Sequence, residues 1–318
     1  MLVGMETRAI GSLDASVVGL GCNNFGGRVD EAATKEVVDA AIDAGVTLFD
    51  TADIYGGTKS EEFLGRAVGN RRDRVLLATK FGGPIGGGPG GASAAYVHQA
   101  VDASLGRLGT DRIDLYQLHF PDNATPLEET LGALDEIVRA GKVREIGCSN
   151  FIADMIDQAT KISRDGDLAR FVSVQNEYSL LRRGPEKQGV LDACKRDGLA
   201  FIPYFPLASG VLTGKYRRGT PPAPGTRLAG IPAERSEQAL SDKVFDRVEA
   251  LAGWAEDHGH TLLDLAFAWL LARHDVASVI AGATRPEQVH ANAAAASWTL
   301  SDDELQEIDA VIERAKSE

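Results

Sequence analysis

Cysteine is scarce: the 318 residues hold three, Cys22, Cys148 and Cys194, odd in number and far apart. Neither a disulfide framework nor a zinc-ligand spacing can be built from them, so reduced thiols are expected. Basic residues are short too, with 33 Lys and Arg against 46 Asp and Glu, a net charge of −13 and a sequence pI near 5.0. A nucleic-acid binder needs a basic face, so that partner class is not expected, although a local cationic pocket is still compatible with the balance. Long apolar runs are missing as well. The most apolar helical stretch, LLDLAFAWLLA at 262–272, contains Asp264 and is too short to span a bilayer, so no membrane partner is expected. The first twenty residues carry Glu6 and Asp14 and no apolar leader region, and a cytoplasmic location is the expectation.

What the chain does have is 44% apolar and 25% charged residues, ordinary for a globular protein with a sizeable core. Short β-like runs alternate with amphipathic helical runs. Eight strand candidates follow in order: VVGLG, TLFDTA, VLLATKF, IDLYQLHF, VREIGCSN, FVSVQNEY, AFIPYFPL and ASVIAGAT. Helical patterns separate them, including a long helical region from 241 to 273. Eight βα units predict an α/β fold, a (β/α)8 TIM barrel occupying residues 1–318 as a single domain. METRAIGSLDASV predicts an N-terminal hairpin closing the barrel bottom, and Ser301 with Glu304 forms a capping box that starts a C-terminal helix. A doubly wound sheet would need G-x-G-x-x-G after the first strand, but GLGCNNFG puts Asn24 at the third position after Gly19 and Gly21.

Two stretches are irregular. GGPIGGGPGG at 82–91 lacks the G-K-[ST] ending of a phosphate cradle and reads as a flexible loop. Residues 213–238 are too long for an ordinary barrel connection and read as a lid or binding segment.

Reactive residues end nearly every predicted strand: Asn23 and Asn24, Asp50 and Tyr55, Lys80, His119, Ser149 and Asn150, Gln175 and Asn176, Tyr204, Thr284 and Arg285. Strand C-termini of a TIM barrel share one face, which carries the active site, so these residues are expected to converge. Taken singly, each has a plainer reading: a backbone-satisfied His119, a structural Asp50 and Lys80 ion pair, loop-capping amides. Tyr, Lys, Asp and His together, however, are the parts of an acid catalyst. A tyrosine near its reference pKa of about 10 is a weak acid, and an ammonium at about 4 Å can lower that value by up to about three units before desolvation is deducted. Asp50 would keep Lys80 charged, and His119 would hydrogen-bond a substrate carbonyl. Tyr55 and Lys59 also stand at Y-x-x-x-K spacing, but Gly56, Gly57 and Thr58 between them are poor helix formers, so Lys59 is expected to be solvated. Asp53 is expected to cap the loop. At the eighth unit, Thr284 is expected to be the helix N-cap with Glu287 at the capping-box position. Arg285 in the first turn opposes the helix dipole, which a bound anion would resolve.

These residues resemble the aldo-keto reductase superfamily over essentially the whole chain, through FDTADIYG, LLATKFG, LYQLHFPD, IGCSNF, VQNEYSLL, IPYFPLASGVLTGKY and AGATRPEQVHAN in family order. The loop after strand seven resembles the bacterial subgroup with a long insertion there. The resemblance implies that Asp50, Tyr55, Lys80 and His119 form the catalytic tetrad, with Tyr55 as proton donor and hydride passing between NADPH/NADP and a small-molecule carbonyl substrate. By the same likeness Ser149, Asn150 and Gln175 hold the carboxamide, Tyr204 stacks on the nicotinamide, and the stretch around Gly214 and Lys215 covers the pyrophosphate. Gln288 and Asn292 match positions near the adenosine end, Arg285 is placed as the 2′-phosphate reader, and Leu207, Gly282 and Thr284 complete the cofactor-binding set. The chain departs at Ala281, where family members often carry Pro, and in GCNNFG, which is more polar than usual. Phe25, Phe120 and Pro121 are expected to line the substrate pocket. The alternatives are a non-catalytic NADPH-binding subunit, since the superfamily includes channel-associated β subunits, an NADP-dependent sugar dehydrogenase running oxidatively, and a Schiff-base aldolase using Lys80.

Overall fold

The run IDLYQL at 113–118 is buried at all six positions, as a parallel strand covered on both faces must be. The computed structural model describes residues 5–88 and 90–317. In chain order, β1 (Thr7–Ile10) and β2 (Leu13–Ser16) form an antiparallel hairpin. Eight parallel strands follow: β3 (Val18–Gly21), β4 (Leu48–Asp50), β5 (Leu76–Phe81), β6 (Ile113–Leu118), β7 (Val143–Ser149), β8 (Phe171–Gln175), β9 (Ala200–Phe201) and β10 (Val279–Gly282). They pair in the order β10-β3-β4-β5-β6-β7-β8-β9. The curl closes where Phe201 N–H donates to the Asp275 carbonyl at 2.7 Å and Ala277 N–H donates to the Phe201 carbonyl at 3.0 Å. Helices alternate with the strands on the outside, so the expected (β/α)8 fold is what the chain adopts.

Two apolar layers result. Between the sheet and its helices lies a continuous core that includes Phe49, Phe81, Tyr116, Leu134 and Phe267. Inside the barrel, Ile10, Leu13 and Ala15 of the hairpin meet Leu48, Ala78, Leu115, Val172, Ile202, Ala277 and Ile280. Each large aliphatic side chain buried there is worth about 1.5–3 kcal/mol, so the hairpin stoppers the N-terminal mouth as expected. Above this layer, at the C-terminal strand ends, lie the buried polar side chains of Asp50, Lys80, Gln117 and Gln175.

Local chemistry sets the element ends. Asp30 caps the helix Glu31–Asp43 by accepting from the Ala33 amide, and Ser93 caps Ala94–Leu108. Ser301 and Glu304 form the expected reciprocal box before the C-terminal helix Asp302–Ser317. The helical region from 241 to 273 is two helices, Asp242–Asp257 and Leu262–Leu271. Gly259 at φ +78 breaks it, and a Thr261/Asp264 capping box restarts it. The glycine-rich stretch is pinned at its ends: Gly91 N–H donates to the Gly82 carbonyl, Tyr96 hydroxyl to the Gly83 carbonyl, and Ala92 N–H to Asp122.

Candidate active site

Strand register brings the polar strand ends together. Asp50 lies beside Gly21 and Ala78, Lys80 beside Gln117, and Ser149 beside Gln175. At the centre, Lys80 Nζ donates to Asp50 Oδ2 at 2.6 Å and to the Thr51 carbonyl at 2.8 Å, and neither Asp50 nor Lys80 is more than 3% exposed. The other Asp50 oxygen accepts from Gln175 at 2.9 Å and Gln117 at 3.3 Å. Burial opposes charge on Lys80, yet Asp50 and the Tyr55 hydroxyl more than offset it, and its pKa stands above the ordinary lysine value.

Tyr55 sits just past β4, in a short turn made by Gly56 at φ +59 and Gly57 at φ +64. Gly56 is required there, since a Cβ would strike the Phe25 carbonyl oxygen. The turn is not an α-helix and Lys59 is exposed, so the Tyr55 and Lys59 spacing has no structural meaning. Lys80 Nζ lies 5.2 Å from the Tyr55 ring centroid. Burial raises the Tyr55 pKa, Lys80 pulls it down and Asp50 pushes it back up, leaving it above the ordinary tyrosine value. Desolvation of the phenol therefore outweighs the lowering expected from the ammonium.

His119 packs edge-on against Tyr55 at 5.7 Å between ring centroids and stacks on Phe120 at 4.3 Å. Burial, then the Lys80 charge, lowers its pKa to about 3, so the imidazole is neutral through the physiological range. Asn150, at φ +63, donates to the His119 carbonyl at 2.9 Å and to Ser149 Oγ at 3.1 Å, and accepts from the Tyr204 hydroxyl at 2.8 Å. Ser149 in turn donates to the Gln175 carbonyl.

All of this forms the floor of one cavity of about 970 Å³ at the C-terminal strand ends. That is the upper end of the size range of small-molecule sites, roomy enough for more than one ligand. Its walls include Leu207, Lys215, Gly282, Thr284, Arg285, Gln288 and Asn292. Gly214 is not on the wall; at φ +72 it caps the turn that delivers Lys215. Of the expected substrate-pocket residues Phe120 and the loop after strand seven, through Pro224 to Arg227, line the cavity, whereas Phe25 is wholly buried in the core and Pro121 lies off the wall. Gly282 lets the backbone approach closely, for a Cβ there would meet Asn24 Nδ2 at 3.1 Å.

Thr284 is not the helix N-cap. Arg285 is, without a side-chain cap, and Thr284 instead offers its amide to Gln288 Oε1 at 2.8 Å. The extended Arg285 backbone shifts the start of the helix by one residue. The Arg285 guanidinium is exposed, with only a loose 3.5 Å contact to Glu287.

Sequence reasoning missed three residues. Gln117 is the second amide on Asp50, and its only signal was a polar residue near the end of a largely apolar strand that also carries Asp114. Arg28 and Arg227 came with no signal, since loop residues carry no periodicity. Arg28 reaches the Gly225 carbonyl at 2.5 Å, and Arg227 lies over the Phe205 ring at 4.8 Å. Among the described residues Arg28, Lys215 and Arg227 make no ion pair, although the chain has an excess of acids. Burial lowers the Lys215 pKa, and Arg28, Arg285 and Arg227 lower it further. Mutually repelling cations around a cavity make an anion site. Phe205, Ala208, Ser209 and Gly210 add a run of positive φ values, a backbone conformation whose successive amides can form an anion-binding concavity.

The Aldo/keto reductase family profile matches residues 17–313. The chain is 33% identical over 318 residues to an aldo-keto reductase of Bacillus subtilis (strain 168), covering 96% of this chain and 92% of that relative. It is 32% identical over 301 residues to an L-glyceraldehyde 3-phosphate reductase of Escherichia coli (strain K12), covering 90% and 86%. It is also 34% identical over 275 residues to a probable voltage-gated potassium channel subunit beta of Arabidopsis thaliana, covering 84% and 83%.

Proposed function

The chain belongs to the aldo/keto reductase family, and from that premise we propose that it interconverts a small carbonyl compound and its alcohol with NADPH/NADP, using Tyr55 as the general acid. The observation that carries this reading is that Asp50, Tyr55 and His119, with Lys80 joined beneath them, form the floor of a cavity whose wall carries Arg28, Lys215 and Arg227, none of them in an ion pair among the described residues. NADPH, when bound, supplies the hydride.

The protein's own groups do the rest. A raised pKa keeps the proton on Tyr55 until the substrate oxygen gains negative charge and takes it. The Lys80 ammonium then faces the tyrosinate, and Asp50, held by Gln117 and Gln175, keeps that ammonium charged. Neutral His119 orients the carbonyl by a hydrogen bond rather than by a charge. Ser149, Asn150 and Gln175 are assigned to the nicotinamide carboxamide, with Tyr204 stacking beside it. Leu207, Gly214 and Lys215 are assigned to the pyrophosphate, which Arg227 also faces. Gly282, Thr284, Arg285, Gln288 and Asn292 are assigned to the adenosine end, with Arg285 reading the 2′-phosphate. The chain acts as one domain.

Tyr55→Phe is expected to lose NADPH-dependent reduction across a carbonyl panel by roughly 10²–10⁴-fold while still quenching NADPH fluorescence. Retained turnover removes Tyr55 from the role. Arg285→Ala is expected to weaken NADPH by about tenfold to a hundredfold and NADH far less, the usual worth of a charge-assisted phosphate contact; equal losses refute phosphate reading. A second reading comes from likeness to the potassium channel subunit: the same cavity binds NADPH without turnover. Wild-type protein that binds NADPH and NADP but converts no carbonyl or alcohol of the panel establishes that reading instead. Turnover of NADP with sugar alcohol groups, and none of NADPH with carbonyls, assigns the oxidative direction.

A further inference from the structure

Asp53 is expected from the sequence to cap a loop, and it does not. It is 0% exposed, and among the described residues no hydrogen bond of good geometry reaches either carboxylate oxygen. Its backbone amide donates to the carbonyl of Lys80 at 3.1 Å, so Asp53 sits between the Tyr55 turn and the Lys80 strand. Groups on the helix Lys59–Val68, the helix Ala94–Leu108 and strands β5 and β6 lie close enough to interact with its side chain electrostatically.

The charges facing it from those elements are Glu61, Arg107 and Lys80, with the Tyr96 and Tyr116 hydroxyls. Glu61, itself inaccessible, already takes Arg107 Nε at 2.6 Å and the Thr79 hydroxyl at 2.6 Å. Lys80 is committed to Asp50. The chamber thus holds two carboxyl groups and one uncommitted hydroxyl, Tyr116, which also lacks a partner among the described residues. A second carboxylate there would be a buried charge with no counterion, which is far costlier than a neutral acid. Burial first, then Glu61, raises the Asp53 pKa to about 7, against the opposing pull of Arg107, the Ile54 amide and Lys80.

We propose that Asp53 is a positioning residue of the reaction site: its backbone amide ties the turn bearing Tyr55 to the Lys80 strand while its side chain packs there as a neutral carboxylic acid, and ionisation of that side chain beside Glu61 loosens the turn and lowers turnover. The proton is exchanged with solvent, and the chemistry of hydride and proton transfer is unchanged. The activity arm of this proposal rests on the reductase reading; the spectroscopic arm does not.

Infrared difference spectra of the wild-type chain, taken as pH is raised from about 5 to about 9, are expected to lose one carboxylic-acid C=O band near neutrality. Asp53→Asn, the isostere of the neutral acid, should lack that band, and Tyr116→Phe, which keeps the carboxyl, should shift it. In the same window wild-type kcat/KM should fall by roughly tenfold, the order of loss that a slight misplacement of a catalytic group produces, while Asp53→Asn stays level. Absence of a titrating acid band in the wild type overturns the proposal without any variant having to fold. A band that Asp53→Asn leaves in place overturns it as well, and so does an Asp53→Asn profile that falls like the wild type. If no carbonyl is turned over at all, it is the reductase reading that fails, and the infrared band still decides whether Asp53 is the neutral acid.

Discussion

Asp50 and Asp53 stand three residues apart at one strand end, both almost wholly inaccessible, and they are partnered in opposite ways. Asp50 faces the cavity with a lysine at 2.6 Å and two amides, and its presence raises the Lys80 pKa against burial. Asp53 faces the helices, where the one nearby guanidinium already belongs to Glu61. Burial alone therefore does not decide ionisation in this barrel. What decides it is whether a cation is free to answer the carboxylate.

The largest break in the comparison comes from Lys80→Met. It leaves Asp50 buried without a counterion, and denaturant unfolding is expected to show a loss of about 3–5 kcal/mol together with loss of carbonyl reduction. Arg107→Met does the corresponding damage behind the site, where Arg107 is partly exposed, so a smaller loss of about 2–3 kcal/mol is expected, with turnover within about tenfold of wild type. Should Arg107→Met abolish turnover as Lys80→Met does, the two carboxylate sites are not separable. The most gradual effect, spread over about three pH units, is in the pH dependence of stability. The Asp53 acid has its folded pKa raised from 3.8 to about 7, so the folded chain binds the extra proton between those values. Its contribution is fully present below the unfolded pKa and is lost as pH rises through the folded one, at a slope of up to about 1.4 kcal/mol per pH unit. Melting temperatures of wild type and Asp53→Asn across that range should diverge, with the variant gaining on the wild type as pH rises.

Much of the frame was legible in the sequence because runs such as VLLATKF and IDLYQLHF signal buried parallel strands by composition alone. The convergence of Asp50, Lys80, Tyr55 and His119 followed from the barrel's geometry, since strand ends share a face. Boundaries were less legible. AFIPYFPL reads as a long strand but is regular only at Ala200–Phe201, with single further bonds from the Ile202 and Tyr204 amides, because Pro203 and Pro206 have no amide to offer and Phe205 turns to φ +49. Thr284 looked like a cap because residue type favours it, whereas the extended Arg285 backbone took the position. Asp53 was illegible for a different reason. Its state depends on how Arg107 is shared with Glu61, 46 residues away in sequence, which no local pattern encodes.

The two-residue β9 has one further consequence, for local opening. It is the seam at which the barrel closes, held on one side by the Asp275 and Ala277 bonds and on the other by Ile202 N–H to the Val174 carbonyl. The cavity straddles that seam, with Tyr204 and Lys215 reached from one lip and Thr284 and Asn292 from the other. A dinucleotide bridging the two lips would act as a missing rung of the sheet and slow the fraying of its weakest joint. Amide hydrogen exchange at 200–202 and 275–277, with and without NADPH, would read that clamp directly, and unchanged exchange would show that the seam is sealed by the protein alone.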